Sequence, residues 1–501
     1  MAGIGFRLDR LSREDGLLGP VASIGHGAAV IAGPWLLAVV ALKLINLNLI
    51  HSDMVEQAFS LQATLIYLFF ISLVAAAPIT AFAIRLVSDD LFEDRKADVS
   101  AIYLLSLIAA ALTGAVLAFC IYAGVFDLKG EALAAAILAA AVISMVWPAA
   151  AFCAAMQDYR TVTVAFVLGF GFSVAATIGV VGLGGGIAVQ TLAFAFGLGL
   201  ASLWLSSSIL SHFAAPVVSV SRPLKRLLSA MSRYRAIGAG AGFGVLAIWI
   251  DSIVVWLSPF GDAALNGLPT SPFYDSAMFI SRLTMLPGLV VFLTSVDSDW
   301  FVRMQAFLGA MRNHETLDHI EARSAELKHG AEAGIFRLVG AQMIAALVLT
   351  VLAPALVEPL ALQYQQIALF RVGTLGAAFY VVFFAATTLV LNCGRDRAFL
   401  SLQALFLVLN VAATLLFLRF GQDYLGFGFF AASAIAAVIA LATLNDTLDR
   451  LVFLTFSYAL RSARAERRPW TPKPARKTGA RLTSITAIFR VRHAGRPERE
   501  A

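Results

Sequence analysis

Residues 100–126 read SAIYLLSLIAAALTGAVLAFCIYAGVF, twenty-seven consecutive positions without a charge. As a helix rising 1.5 Å per residue, such a run covers roughly 40 Å, more than the ~30 Å hydrocarbon core of a bilayer. Lipid offers no water to pair backbone amides, so a run that crosses it must be helical. Outward from this stretch the pattern repeats. Toward the N-terminus lie runs near 58–84 and 23–46, and beyond it runs near 132–156, 161–183 and 187–212. A polar stretch, 214–235, then separates these from runs near 236–259, 273–296, 335–357, 366–392, 399–419 and 424–446. The expectation is an all-α polytopic membrane protein of about twelve transmembrane helices, six on each side of a linker. Composition agrees: 60 % of the 501 residues are hydrophobic and 14 % charged, against roughly 45–50 % and 25 % in soluble domains.

The formal charge of +6 is concentrated at one end. Residues 458–501 hold twelve Lys or Arg and three Glu, so the rest of the chain sums to about −3. A basic, proline-containing tail directly after a membrane helix reads as a mobile segment that meets anionic lipid, and nucleic acid is not an expected partner. Arg7, Arg10 and Arg13 near the start stand in no signal-peptide context, so the N-terminal stretch is expected to stay in the cytoplasm. The three cysteines are far apart and lack CxxC spacing, so neither a disulfide framework nor a metal site is indicated, and no cofactor is expected.

Orientation follows from Lys and Arg in alternate loops, because short cytoplasmic loops retain positive charge. One set of loops carries eighteen, among them Arg85, Arg95, Arg160, Arg222, Lys225, Arg226, Arg303 and Arg395. The other set carries two, Lys129 and Arg419. Both termini are therefore expected in the cytoplasm, which requires an even number of spans. The expected divisions are an amphipathic N-terminus (1–20), a first six-helix bundle (21–213), a basic cytoplasmic linker (214–235), a second bundle (236–457) and the tail (458–501). Within the second bundle, residues 300–333 place Trp300, Phe307, Met311, Leu317 and Ile320 at helical spacing among charges. This region reads as surface helices under the bundle, serving either as interfacial packing or as a partner-docking face.

Charged groups inside spans are costly and face a bundle interior or a water-filled cavity. The candidates for a transport path are Asp251 in IWIDSIVVW, Asp275 and Arg282 on the eighth span, Lys43 on the first and Arg371 on the tenth. Asp251 needs a partner, a proton or water. Asp275 and Arg282, seven residues apart, share one helix face and could line a path together; the alternative is ion pairs that hold helices in register. Lys43 and Arg371 stand closer to span ends, where snorkelling explains them. Gly33 with Pro34, Pro148, and Pro287 with Gly288 are candidate helix breaks around a cavity. No catalytic constellation is present, so an enzyme is not expected.

The opening MAGIGFRLDRL, AGPW at Ala32–Trp35, SPFYDSAMFISRLTMLPG at Ser271–Gly288 and YLGFGF at Tyr424–Phe429 together resemble the Pel exopolysaccharide transporter family, PelG. The likeness runs to about Ser457; the basic tail, Asp297–Asp299 and Asn392–Gly394 match no pattern of that family. The resemblance implies the polysaccharide transporter branch of the multidrug, oligosaccharidyl-lipid and polysaccharide flippase superfamily, with two six-helix bundles related by a pseudo-two-fold axis. It also implies an amino-sugar-rich polysaccharide as substrate, exported across the bacterial inner membrane into a biofilm matrix. The partners it implies are a cytosolic glycosyltransferase and small inner-membrane proteins, one of them a cyclic di-GMP sensor. Two other functions remain open from the residues. One is ion-coupled export of small amphipathic cations, or flipping of a lipid-linked oligosaccharide; the other is a membrane scaffold that docks a glycosyltransferase.

Overall fold

The computed structural model describes residues 19–457 apart from 93, 94, 96, 157, 215–218, 265 and 359–361. The expected N-terminal amphipathic stretch up to residue 18 and the basic tail lie outside the described residues. The described residues up to Val452 form one compact unit, and 453–457, which are helical, are described separately from it.

The first bundle consists of α1 (Gly19–His51), α2 (Val55–Phe92), α3 (Val99–Tyr122), α4 (Gly130–Ala155), α5 (Tyr159–Gly182) and α6 (Ile187–His212). A short helix, α7 (Ser221–Arg233), leads into α8 (Arg235–Trp256), and a two-residue hairpin pairs Asp262–Ala263 with Pro269–Thr270. The second bundle continues with α9 (Pro272–Leu283), α10 (Leu286–Val291), a π-helical turn at Phe292–Asp297, and α11 (Ser298–Arg312). It closes with α12 (Leu317–Leu356), α13 (Ile367–Asn392), α14 (Asp396–Leu418) and α15 (Phe427–Asp449). Ten of the described helices are long and apolar enough to cross a membrane. The helix α1 and the interrupted segment 272–297 occupy the other two expected spans.

The eighth span is therefore not one helix, as its apolar run suggests, but three short pieces. Nor do residues 317–333 form a separate surface helix. They are the first half of α12, whose 40 residues extend for about 60 Å, twice the hydrocarbon thickness. Its polar half projects beyond the bundle at the end where Arg and Lys concentrate, here called the basic end.

Apolar packing forms two cores, one inside each bundle. Small residues set the closest approach in the first. Any Cβ at Gly197 of α6 would lie 2.3 Å from the backbone nitrogen of Ser173 and 2.5 Å from the carbonyl oxygen of Gly169, both on α5. Membrane helices lack a hydrophobic drive toward each other, so such close backbone packing is what holds them.

The described part of the expected linker contains helix α7. Arg226 of α7 forms ion pairs with Asp90 and Asp98, the latter at 2.9 Å, and Arg222 reaches Asp98 at 3.4 Å. Leu227, Pro223 and Ala230 are buried beneath it. Tyr234, between α7 and α8, donates a hydrogen bond to Asp89. Burial, with that carboxylate alongside, pushes its hydroxyl up to about 12, so it stays a donor at physiological pH. Because Asp90 is fully buried, an Arg226→Met substitution is expected to release α7 by about 1.5 kcal/mol or more. The expected result is roughly tenfold faster amide exchange over 221–233. Unchanged exchange would show that the ion pairs do not hold the helix.

Candidate functional site

Two of the rare charges inside the second bundle, Asp251 and Arg282, meet at Asp251, five residues before the end of α8. Its carboxylate is completely buried and accepts from Arg282 Nη2, at 2.8 Å to Oδ1 and 2.6 Å to Oδ2. Tyr274 donates its hydroxyl to Oδ2 at 2.6 Å. Asn410 of α14 places Nδ2 at 3.5 Å from Oδ1 and donates to the Ala247 carbonyl at 2.9 Å. The Arg282 guanidinium lies 5.4 Å from the ring centre of Phe429 on α15, a cation–π distance. Four helices thus meet at one buried pair. Such a pair offsets its own desolvation only when the remaining lone pairs find donors, and here Tyr274 and Asn410 supply them.

Asp275 goes elsewhere. Sitting in the first turn of α9, it accepts from the Ser271 backbone at 3.2 Å and from Trp256 Nε1 at 2.9 and 2.7 Å. A carboxylate at a helix N-terminus and a guanidinium in the last turn both suit the helix dipole. Asp275 and Arg282 thus take different partners at opposite ends of α9.

The other charged candidates differ from each other. The half-buried Arg371 donates its Nε to the Thr350 carbonyl on α12 at 3.0 Å. Lys43 is exposed on α1, on the same side as Leu36, Val40, Leu44 and Leu47.

Of the expected helix breaks, only Pro287 and Gly288 adjoin an interruption, which falls at Thr284–Met285 just before the first turn of α10 that holds them. Pro34 lies inside continuous α1 and Pro148 inside continuous α4, as membrane helices permit when neighbours satisfy the freed groups. Gly33 has open space where a Cβ would stand. At the real break, the Gln342 side chain of α12 bridges both broken ends. Its Nε2 donates to the Thr284 carbonyl at 2.9 Å, and its Oε1 accepts from Gly288 N at 2.8 Å. A Cβ on Gly288 would fall 2.5 Å from that Oε1 and 2.8 Å from Val381.

The residues expected to dock partners are mostly covered. Trp300, Phe307 and Ile320 are buried where α11 packs on α12, and Met311 is half-buried. Amphipathic spacing correctly finds an apolar face, but that face closes the helical hairpin on itself. Leu317 is exposed, with Phe301, Val302 and Leu308.

Between the bundles, α2 packs on α8, and α1 packs on α10. The α2–α8 seam and the hairpin after it are aromatic where they meet α2. Tyr67 donates to the Pro269 carbonyl at 2.8 Å, and its ring centre lies 4.9 Å from that of Trp256, the planes tilted by 38°; Phe70 lies 5.8 Å from Trp249. Asn266 donates to Thr64 Oγ1 at 2.9 Å. Farther into the first bundle, Asn46 donates to Gln62 at 2.6 Å, and Gln190 approaches Gln57 at 3.4 Å. Attention to charges misses these groups; the available signal is amide residues inside otherwise apolar runs. A cavity of about 260 Å³ opens in the second bundle, lined by Phe273, Gln365, Ala368, Leu369, Gln422 and Asp423. It is smaller than common ligand pockets of ~300–1,000 Å³ and cannot house a polymer.

A family profile described as "PelG: Putative exopolysaccharide Exporter (EPS-E)" matches residues 1–456. The chain belongs to the PelG family. It is thus a membrane exporter of exopolysaccharide or a related cargo. No curated protein matches it in sequence. Solved structures share the fold of this PelG-family chain. A MOP superfamily transporter from Pyrococcus furiosus, described as having a binding pocket of reverse polarity, has a TM-score of 0.59 at 14 % identity, over 88 % of this chain and 98 % of that one. An outward-facing multidrug resistance MATE family transporter of the MOP superfamily scores 0.60 at 15 % identity, over 88 % and 98 %. A MATE structure in a bent conformation scores 0.61 at 15 % identity, over 90 % and 97 %. At these identities the likeness is one of fold, the all-α arrangement of two bundles.

Proposed function

We propose that this PelG-family chain exports a Pel-type, amino-sugar-rich polysaccharide from the cytoplasm to the periplasm across the bacterial inner membrane, for a biofilm matrix. The observation that carries the reading is the family match, which spans both bundles. The surplus of eighteen Lys and Arg over two in alternate loops supports the basic end as the cytoplasmic end. Polar chemistry in and beside the seam supports a polyhydroxylated cargo. The half-buried amides Asn46, Gln62 and Gln57 inside the first bundle can pair with hydroxyls as donors and acceptors, and the half-buried Trp249 at the seam can offer a flat apolar face to a sugar ring. Asp251, Asp275 and Arg282 act in this reading as anchors of the second bundle, next to the path instead of lining it.

A cytosolic glycosyltransferase and small inner-membrane partners, including a cyclic di-GMP sensor, would meet the basic end. There the polar half of α12 and the exposed Leu317, Phe301 and Val302 project. The MATE-like fold raises the alternative of ion-coupled export of small cations. The Asp251 geometry weighs against it, because Arg282 already occupies the carboxylate that a coupling ion would need. A pure scaffold for the synthase remains a distinct alternative.

The decisive experiment follows labelled polymer in a deletion strain. Export predicts that polymer accumulates in the cytoplasm, and that vesicles holding the purified chain without synthase take up preformed oligosaccharide. Normal secretion by the deletion strain, or restored secretion together with inert vesicles, would overturn the reading, the second outcome in favour of the scaffold.

A further inference from the structure

Helix α7 joins the bundles, and its surface divides into three sectors. At about 100° per residue, Pro223, Arg226, Leu227 and Ala230 fall within a sector of about 100°. This is the face held against α2 and α3 by burial and by the Asp90 and Asp98 ion pairs. Val220, Leu224, Leu228 and Met231 fill the next sector of about 80°. All four are exposed, by 53 %, 40 %, 55 % and 43 %. Ser221, Arg222, Lys225, Ser229, Ser232 and Arg233 occupy the remainder and are also exposed.

An amphipathic helix that merely docks on protein needs one apolar face. This one has two side by side, and the second is bare. Its placement specifies the cover. The helix joins the C-terminal end of one membrane helix, α6, to the N-terminal start of another, α8, which puts it at the level of one bilayer surface. A face adjoining the docked face at that height turns toward lipid. The sector beyond it carries Arg222, Lys225 and Arg233, which complements anionic headgroups.

We propose that α7 is an interfacial helix that seats Val220, Leu224, Leu228 and Met231 in the acyl boundary of the bilayer. Arg222, Lys225 and Arg233 engage anionic phospholipid headgroups. The occupant is the membrane surface, not a partner protein. Because α7 is pinned to the first bundle and leads directly into the second, this contact makes the bundle connection responsive to lipid charge.

The test uses the full chain, with Cys120→Ala, Cys153→Ala and Cys393→Ala, reconstituted in two kinds of vesicle. One is phosphatidylcholine alone and the other is equal parts phosphatidylcholine and phosphatidylglycerol. Spin labels are placed singly through Leu228→Cys and Ser229→Cys, and collisions with oxygen and with a water-soluble nickel chelate are compared. At 228 oxygen is expected to win several-fold, and at 229 the chelate. The label at 228 is also expected to sit deeper in the anionic vesicles, and this gain is expected to vanish on combining Arg222→Gln, Lys225→Gln and Arg233→Gln. Equal chelate access at both positions overturns the proposal, as does equal depth in both lipids. A label at 228 shielded from both reagents also overturns it, since that face would then be covered by protein. Wild-type-like elution and α7 amide exchange in each variant exclude misfolding as the cause.

Discussion

Replacing Arg282 with Met is expected to destabilise the second bundle by about 3–5 kcal/mol, the scale for breaking a buried ion pair from one side. The reason is the stranded partner. Asp251 would remain fully buried, keeping Tyr274 and Asn410 as donors but no positive charge. The check is thermal unfolding of the detergent-solubilised chain, followed by loss of monodisperse protein. Pairing Arg282→Met with Asp251→Leu removes both charges and is expected to recover most of the loss, because apolar replacement of a whole buried pair is often neutral or stabilising. Tyr274 is the residue to watch in that double variant, since its hydroxyl loses its acceptor. A single Arg282→Met variant that unfolds at the wild-type temperature would show that Asp251 is satisfied without the guanidinium, by water or by a proton.

The same two variants separate architecture from transport. A double variant that folds and still exports polymer makes the pair a fold anchor, whereas one that folds and fails to export gives the charges a direct role. Asp251→Asn alone mixes the two effects, because it leaves Arg282 buried opposite a neutral amide.

What the sequence could reveal here divides along physical lines. Uninterrupted apolar runs such as 100–126 identify membrane helices, because a bilayer imposes length and polarity on each span separately. The cost of an intramembrane charge likewise singles out Asp251 and Arg282. Pairing is a different matter. Asp275 and Arg282 share a helix face by spacing, yet Trp256 and Asp251 claim them separately, and that choice depends on how α8 crosses α9. The apolar stripe at Trp300, Phe307 and Ile320 was legible as a stripe, but not what covers it, since the cover is α12 of the same chain. Continuity was hidden as well. Nothing local distinguishes Pro148, carried inside α4, from Pro287, at a true break; the difference is Gln342, a polar side chain 54 residues away from Gly288.

Removing that side chain is the second large effect expected. In a Gln342→Leu variant, which approximates the volume, the Thr284 carbonyl and the Gly288 amide lose their partners inside an apolar environment. Each buried unsatisfied backbone group costs about 1–3 kcal/mol, so the two together give a loss of roughly 2–6 kcal/mol. Gln342→Glu provides the control, because a protonated Glu can still accept from Gly288 and donate to Thr284. It is expected to rescue most of the stability at low pH and to lose it as pH rises and the carboxyl ionises. The break lies between α9, which carries Arg282, and the π-helical turn at 292–297, the kind of irregularity that recurs at functional sites. If its stitching sets the angle at which α9 presents Arg282 to Asp251, the two devices are coupled. Thermal unfolding of Gln342→Leu and Arg282→Met, singly and combined, measures that coupling. Losses that add independently would mean that the hinge and the ion pair are separate devices. A combined loss clearly smaller than the sum would make them one, with Gln342 acting through the position of α9.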